Sequence, residues 1–374
     1  MKDNERKTWR IFTEMKKYIT RFTRISFLVA AVSILIYAAS ISSYKFADVI
    51  NGTASAVVRF LLSSVTYILP FSFFELLVIL SPVILIAIVV IAMKRADSRS
   101  DMIRGIFTLL AIISLIFTSY IFTLGVGYHT TALAEKLEIE ERSDLTAEEL
   151  YYTISEVIEG VNSNSDNLNF ENSETHMPYS ETEMSSKLIS AYDNMNEKYS
   201  LVVNYQSRIK PVYFSNIMSD LGITGIYSFF TGEANVNVEY PDYCIPFTAA
   251  HELAHQRGIC RENEANFVAF LVCISSDDAY IRYSGYLNMY EYLASALYRT
   301  DPDLYYEARN ELSNVAISDI KAANAVYQKH KDSPLGKIND RLNDAYLKAN
   351  GTEGVVSYGY VVRLAVGYYQ KDEP

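Results

Sequence analysis

Apolar positions are unevenly spread along this chain, with three long runs before residue 127. The first, Ile25 to Tyr44 (ISFLVAAVSILIYAASISSY), carries no charge. At about 20 residues it is long enough to cross a hydrocarbon core as a helix. The second occupies about 73–93 and the third Ile106 to Val126. None shows the polar face of a helix half-buried in a soluble core, so all three read as membrane spans. The region before the first run is long, holds eight Lys or Arg by Arg24, and shows no small-residue cleavage site. It therefore predicts an uncleaved anchor rather than a signal peptide. Ser55 to Phe74 is also apolar, but Arg59 and Pro70 within it predict an interfacial or re-entrant helix rather than a fourth span.

After Val126 the pattern becomes amphipathic. ERSDLTAEELYYTISEVIEGVN predicts a helix capped by Ser143 or Asp144, with acidic residues in its first turn. An Asn-, Ser- and Glu-rich stretch follows and reads as a loop that leaves His176 solvated. SSKLISAYDNMNEKYSLVV predicts a second helix. Ile223 to Asp242, with three nearby glycines and the alternating NVNVEY, predicts a short strand or hairpin ending at Pro241. From about Asp277 to Tyr369 the chain again reads as helical. The expected fold is mainly α: a membrane anchor of three transmembrane helices over 1–126, then a mostly helical domain over 127–374 with a small β-hairpin or sheet.

Charge orients this arrangement. The N-terminal flank carries eight basic and three acidic residues, and the loop KRADSRSDMIR between the second and third runs is also basic. Both are expected in the cytoplasm, and an odd number of spans then places residues after Val126 outside it. Of 33 basic and 44 acidic residues, 19 and 37 fall after position 126, a net charge of −18 there. Such a surface argues against nucleic acid, whose phosphates demand Lys and Arg. The expected partners are the lipid bilayer and a peptide or protein substrate. Cys244, Cys260 and Cys273 are too few and odd in number for a disulfide framework, and no CxxC spacing points to a thiolate-held metal.

The chemistry lies in HELAHQRGICRENEANF, His251 to Phe267, in a chain with only five histidines. A helix starting after Pro246 and stopping at Gly258 puts His251 and His255 one turn apart on one face, aimed at one point. Glu252 sits about 100° round the helix from His251. It would flank a metal without binding it, and serve as general base toward water activated there. Ala249, Ala250 and Ala254 permit close packing, which suits a buried site. A catalytic zinc needs a third protein ligand and an open fourth place. If Gly258 allows a tight reversal, a second helix beginning near Glu262 supplies it. Glu262 is the preferred ligand and Glu264 the alternative, with Asn266 hydrogen-bonding a ligand histidine. Tyr227, Tyr283 and Tyr286 are candidate donors to a developing oxyanion, as is Arg282. NVNVEY offers itself as an edge strand for an extended substrate.

HELAH…ENEANF resembles the gluzincin metallopeptidases, in which HExxH is followed by a glutamate ligand. Only six residues separate His255 from Glu262, fewer than in most gluzincins. The metzincin pattern fails, since its third ligand would fall on Arg261. A closer resemblance, through GIYSFFTGEANVN, HELAHQRG, ENEANF, RYSGYL and LKANGTEGVVSYGYVV, is to domain-of-unknown-function family 3810, a family of bacterial membrane proteins. The resemblance implies a zincin-like fold and a Zn²⁺-dependent peptidase. The alternative expectation is a catalytically silent membrane protein whose outer domain binds a partner, its metal structural or absent.

Overall fold

The computed structural model describes residues 18–95, 98–166 and 168–371, and it is mainly helical. The basic flank from Lys2 to Lys17, and residues 96 and 97 of the basic loop, lie outside the described residues. Four helices near the N-terminus are long and apolar enough to cross a membrane: α1 (Arg21–Ser42), α2 (Tyr44–Tyr67), α3 (Phe73–Arg95) and α4 (Arg99–Thr123). They are compatible with a membrane protein. α1, α3 and α4 correspond to the three apolar runs. The additional helix, α2, overlaps the segment read as interfacial or re-entrant. None of the apolar stretch of α3 is buried in protein, as befits a surface that meets hydrocarbon on every side.

α2 touches the rest of the molecule from end to end. Near its start, Asp48 accepts the Thr131 N–H at 3.2 Å and pairs with Lys136 at 3.2 Å. One turn on, the Asn51 amide donates to the Gly258 carbonyl at 3.0 Å. Arg59, almost fully buried, donates to Asn51 Oδ1 at 2.8 Å and to the carbonyls of Phe122 and Arg257, both at 3.4 Å. At its far end, Thr66 donates to the Thr231 carbonyl at 3.4 Å, and its own carbonyl accepts from Lys210 at 2.9 Å. The start of α3 is anchored by carboxylates. Glu233 accepts the N–H groups of Phe73 and Phe74 at 3.0 and 2.7 Å, satisfying orphan donors where the helix dipole is positive. Glu75 in turn accepts from the N–H groups of Tyr213 and Phe214 at 3.0 and 2.7 Å.

The remaining chain forms one core. α5 (Ala147–Ser165) begins at Thr146, not Ser143 or Asp144, because Thr146 and Glu149 complete a reciprocal capping box. α6 (Glu181–Tyr199) follows a loop that carries a two-residue ladder, β1 (Phe170–Glu171) with β2 (Glu174–Thr175). A second sheet joins β3 (Ile209–Val212), β4 (Gly225–Tyr227) and β5 (Ala234–Asn237) in the order β3-β5-β4. β3 runs parallel to β5, and β4 antiparallel to it. The hairpin read from sequence is thus present as β4–β5. NVNVEY is not an edge strand, however: β5 is central, because IKPV at Ile209–Val212 pairs with its other side. The edge strands are β3 and β4.

Below the sheet lie α7 (Cys244–Gln256) and α8 (Glu262–Ile274), joined by a reversal at Gly258, whose φ of 94° suits glycine. A side chain there would also strike the Arg59 guanidinium. α9 (Ala279–Thr300) packs beside them. It is followed by α10 (Pro302–Asn310), α11 (Asn314–His330), α12 (Pro334–Ala349) and α13 (Val361–Lys371). All three cysteines are buried and free.

Arg59→Leu leaves the Asn51 oxygens and the α7 carboxyl end without their cation in a buried setting. It should destabilise detergent-solubilised protein by about 2–4 kcal/mol, read as a fall in thermal unfolding midpoint. An unchanged midpoint would show that the α2 contact is incidental.

Candidate metal centre

α7 and α8 bring three side chains to one point. His251 Nε2 and His255 Nε2 stand 3.0 Å apart, and Glu262 Oε2 lies 3.3 Å from the first and 3.4 Å from the second. The reason is local. His251 and His255 are one turn apart on α7, and Ala249, Ala250 and Ala254, all fully buried, let neighbouring elements close in. Gly258 turns the chain so that α8 opens with Glu262 facing them. His255 donates its Nδ1–H to the Ile259 carbonyl at 2.8 Å, which fixes the tautomer and leaves the Nε2 lone pair directed at the cluster.

Ligands about 2.0–2.1 Å from a tetrahedral centre stand about 3.3–3.4 Å apart. The two spacings to Glu262, 3.3 and 3.4 Å, match that edge length and the histidine pair at 3.0 Å is slightly tighter; this trio is a set of residues that could hold a metal ion. Three lone-pair donors so close also favour positive charge. Burial opposes a charged His255, yet the adjacent Glu262 carboxylate outweighs it and raises the imidazole to about 9. Glu262 is buried too, but the two histidines hold its carboxyl well below the ordinary range.

Glu252, almost fully buried, flanks the trio without joining it. Burial pushes its carboxyl above the ordinary value, despite the neighbouring histidines and a hydrogen bond from the Tyr227 N–H. β4 crosses immediately above. A Cβ on Gly225 would come within 2.5 Å of Glu252 Oε1 and 2.8 Å of Thr248, so only glycine permits this approach.

The cluster opens into a cleft of about 800 Å³. β4 forms one wall, and Asn288, Glu291 and Tyr292 of α9 contribute another. Tyr120 and Leu124, at the end of apolar helix α4, also line it.

The other expected site residues separate. Glu264 turns elsewhere: its Oε1 accepts from the Leu133 N–H at 2.9 Å and from Arg261 at 2.8 Å. Asn266 lines the cleft but bonds neither histidine; it lies at the Tyr292 hydroxyl, while its Nδ2 and His251 Nδ1 find no partner. Tyr227 contributes its backbone, since its hydroxyl is buried without a partner near Tyr205 and Arg59. Tyr283 is not in the site: its hydroxyl donates to Asp319 at 2.7 Å, within a buried network with Thr175 and Tyr280. Tyr286 packs against Gly160 of α5, and Arg282 bonds Asn164 and the Ser276 carbonyl. Both lie on faces of α9 other than the one bearing Glu291 and Tyr292. Gly225, Glu291 and Tyr292 were missed. The signal for Gly225 was a glycine opening a strand; Tyr292 is one of 30 tyrosines and carried none.

A family model, described as protein of unknown function (DUF3810), matches residues 53–366. The chain belongs to this family. The match starts inside α2 and ends in α13, so cleft and cluster both fall within it. Comparison with curated proteins and with solved structures finds no match.

The pH response of protein stripped of divalent ions follows from these shifts. A raised His255 contributes stability that is full below its unfolded value near 6.5 and lost as pH rises through about 9. A depressed Glu262 contributes above its unfolded value of 4.5, and loses it only as pH falls below that. Chelator-treated protein should therefore melt highest between about pH 5 and 6.5, and lose up to about 3 kcal/mol by pH 10. Glu262→Gln should flatten this slope; a slope unchanged by the substitution would remove the pairing as its cause.

Proposed function

We propose that this DUF3810 member is a membrane-anchored, zinc-dependent peptidase of zincin type. The observation that carries the reading is the triangle of His251 Nε2, His255 Nε2 and Glu262 Oε2, with edges of 3.0, 3.3 and 3.4 Å, opening into a cleft with Glu252 beside it. Two imidazoles and one carboxylate suit zinc, and a fourth vertex facing the cleft is what distinguishes a catalytic from a closed structural site. No fourth His, Cys, Asp or Glu joins the trio among the described residues.

Zinc held by His251, His255 and Glu262 would supply Lewis acidity toward the scissile carbonyl and the attacking water. The protein does the rest. Glu252 takes the proton of the attacking water and passes it to the departing amine. The Tyr227 N–H holds that carboxylate against β4. β4, bonded on one side only, is the strand along which an extended peptide can lie. A purely structural ion has no use for Glu252, so the silent-module alternative lacks an observation of its own.

The same geometry supports the topology. The ends of α1, α3 and α4 at Ser42, Phe73 and Thr123 adjoin the cleft-bearing part, while α3 ends at Arg95 and α4 begins at Arg99 on the opposite side. α2 meets that part near both its ends, at Asp48 and Thr66, which supports reading it as a helix along the membrane surface rather than a fourth span. With the basic flanks, this favours three spans, a cytoplasmic N-terminus and an extracytoplasmic peptidase domain. Tyr120 and Leu124 in the cleft wall set the chemistry beside the bilayer rather than far from it.

The test uses purified protein, a zinc assay and casein or quenched-peptide cleavage. Wild type should hold one zinc per chain and cleave. Glu252→Gln should keep the zinc and lose at least about 10²-fold in kcat. Gly225→Ala, which displaces Glu252, should do the same, whereas His251→Ala or Glu262→Ala should lose the zinc and Glu264→Gln should keep it. Stoichiometric zinc with equal, absent cleavage in wild type and Glu252→Gln would sink the enzyme.

A further inference from the structure

We infer that the cleft selects a cationic side chain, lysine or arginine, in an extended peptide, with Glu291 as its anchor; this rests on the peptidase reading and names its substrate class.

The charges lining the cleft are one-sided. Glu252, Glu262, Glu291 and Asp340 contribute to it, and no lysine or arginine does among the described residues. Glu262 and the two histidines are committed to the cluster. Glu291 is not: its Oε1 accepts the Tyr243 hydroxyl at 2.9 Å, and no cation figures in its surroundings. A carboxylate partly withdrawn from water without a counter-charge is costly, and its desolvation lifts half-buried Glu291 to about 6. An ammonium or guanidinium arriving with the substrate offsets that cost through a charge-assisted hydrogen bond. An acidic side chain meets repulsion instead.

Position and rigidity agree. Tyr243 is fully buried and immediately precedes α7, and Ser284 of α9 accepts the Phe247 N–H at 3.0 Å, which ties the two helices together there. Tyr243 stands eight residues before His251, about 12 Å along the helix. An extended peptide advances about 3.3 Å per residue, so Glu291 meets a side chain a few residues from the bond held at the cluster. Cys244 neighbours both Glu291 and Tyr240, and Tyr240 neighbours Tyr327. Both tyrosines line the cleft. Asp340, exposed on α12 at the cleft, extends the negative field toward solvent.

The test measures binding separately from cleavage. Zinc-loaded Glu252→Gln protein is titrated with labelled alanine-based octapeptides that carry one Arg, Lys, Gln or Glu at each position in turn, read by fluorescence anisotropy. At one position Arg and Lys should bind at least about tenfold tighter than Gln, and Glu weaker still. An added Glu291→Gln change should bring Arg and Gln peptides within about threefold, and Glu291→Lys should turn the preference toward Glu. Equal affinities at every position, or a basic preference that survives Glu291→Gln, overturns the inference. Cleavage by wild type without a basic preference overturns the inference and leaves the peptidase standing. Glu291-dependent binding of Arg peptides with no cleavage by wild type overturns the peptidase and keeps the recognition. Binding of no peptide at all removes both.

Discussion

Three lone-pair donors, two imidazole nitrogens and one carboxylate oxygen, are held within 3.0–3.4 Å of one another at the base of a cleft. Left without positive charge, such a triangle is repulsive, and the protein has no lysine or arginine lining the cleft to relieve it among the described residues. The surrounding structure holds the donors in place. The Gly258 reversal brings Glu262 over the histidines, buried alanines let α7 pack closely, and the Ile259 carbonyl fixes the His255 ring. Each feature trades stability for geometry, as preorganised sites do.

The apolar helices participate in this scaffold. Arg59 and Asn51 of α2 grip the carboxyl end of α7 through the carbonyls of Arg257 and Gly258, and Glu233 of the hairpin caps the start of α3. A cation at a helix carboxyl end and a carboxylate at a helix amino end are both favourable placements. The apolar helices and the cleft-bearing part are therefore one mechanical unit, with the cleft wall shared between α4 and β4.

Much of this was legible in the residues, for identifiable reasons. Three apolar runs of spanning length announced α1, α3 and α4, while α2, interrupted by Arg59, was read as interfacial yet is also long and apolar enough to span; i, i+4 histidines announce a shared helical face. The paired helix start at Glu262 followed from a glycine and an acidic turn. Other parts depended on contacts between segments distant in sequence, which no local pattern encodes. β3 carries a lysine and a proline, so its pairing, and with it the central place of β5, was hidden. Tyr283, Tyr286 and Arg282 looked available for chemistry, but α9 turns them toward Asp319, α5 and Asn164. Glu291 and Tyr292 occupy the cleft side of that same helix. Choosing between Glu262 and Glu264 required knowing that Leu133 and Arg261 would claim the second acid.

Zinc K-edge X-ray absorption on the purified full-length protein tests the central claim most directly. One tightly held zinc is expected, with only nitrogen and oxygen neighbours at about 2.0–2.1 Å and the outer-shell signature of two imidazoles, and no zinc retained by His251→Ala. Failure to retain zinc after loading and dialysis, or a first shell containing sulfur or four protein donors, would contradict it.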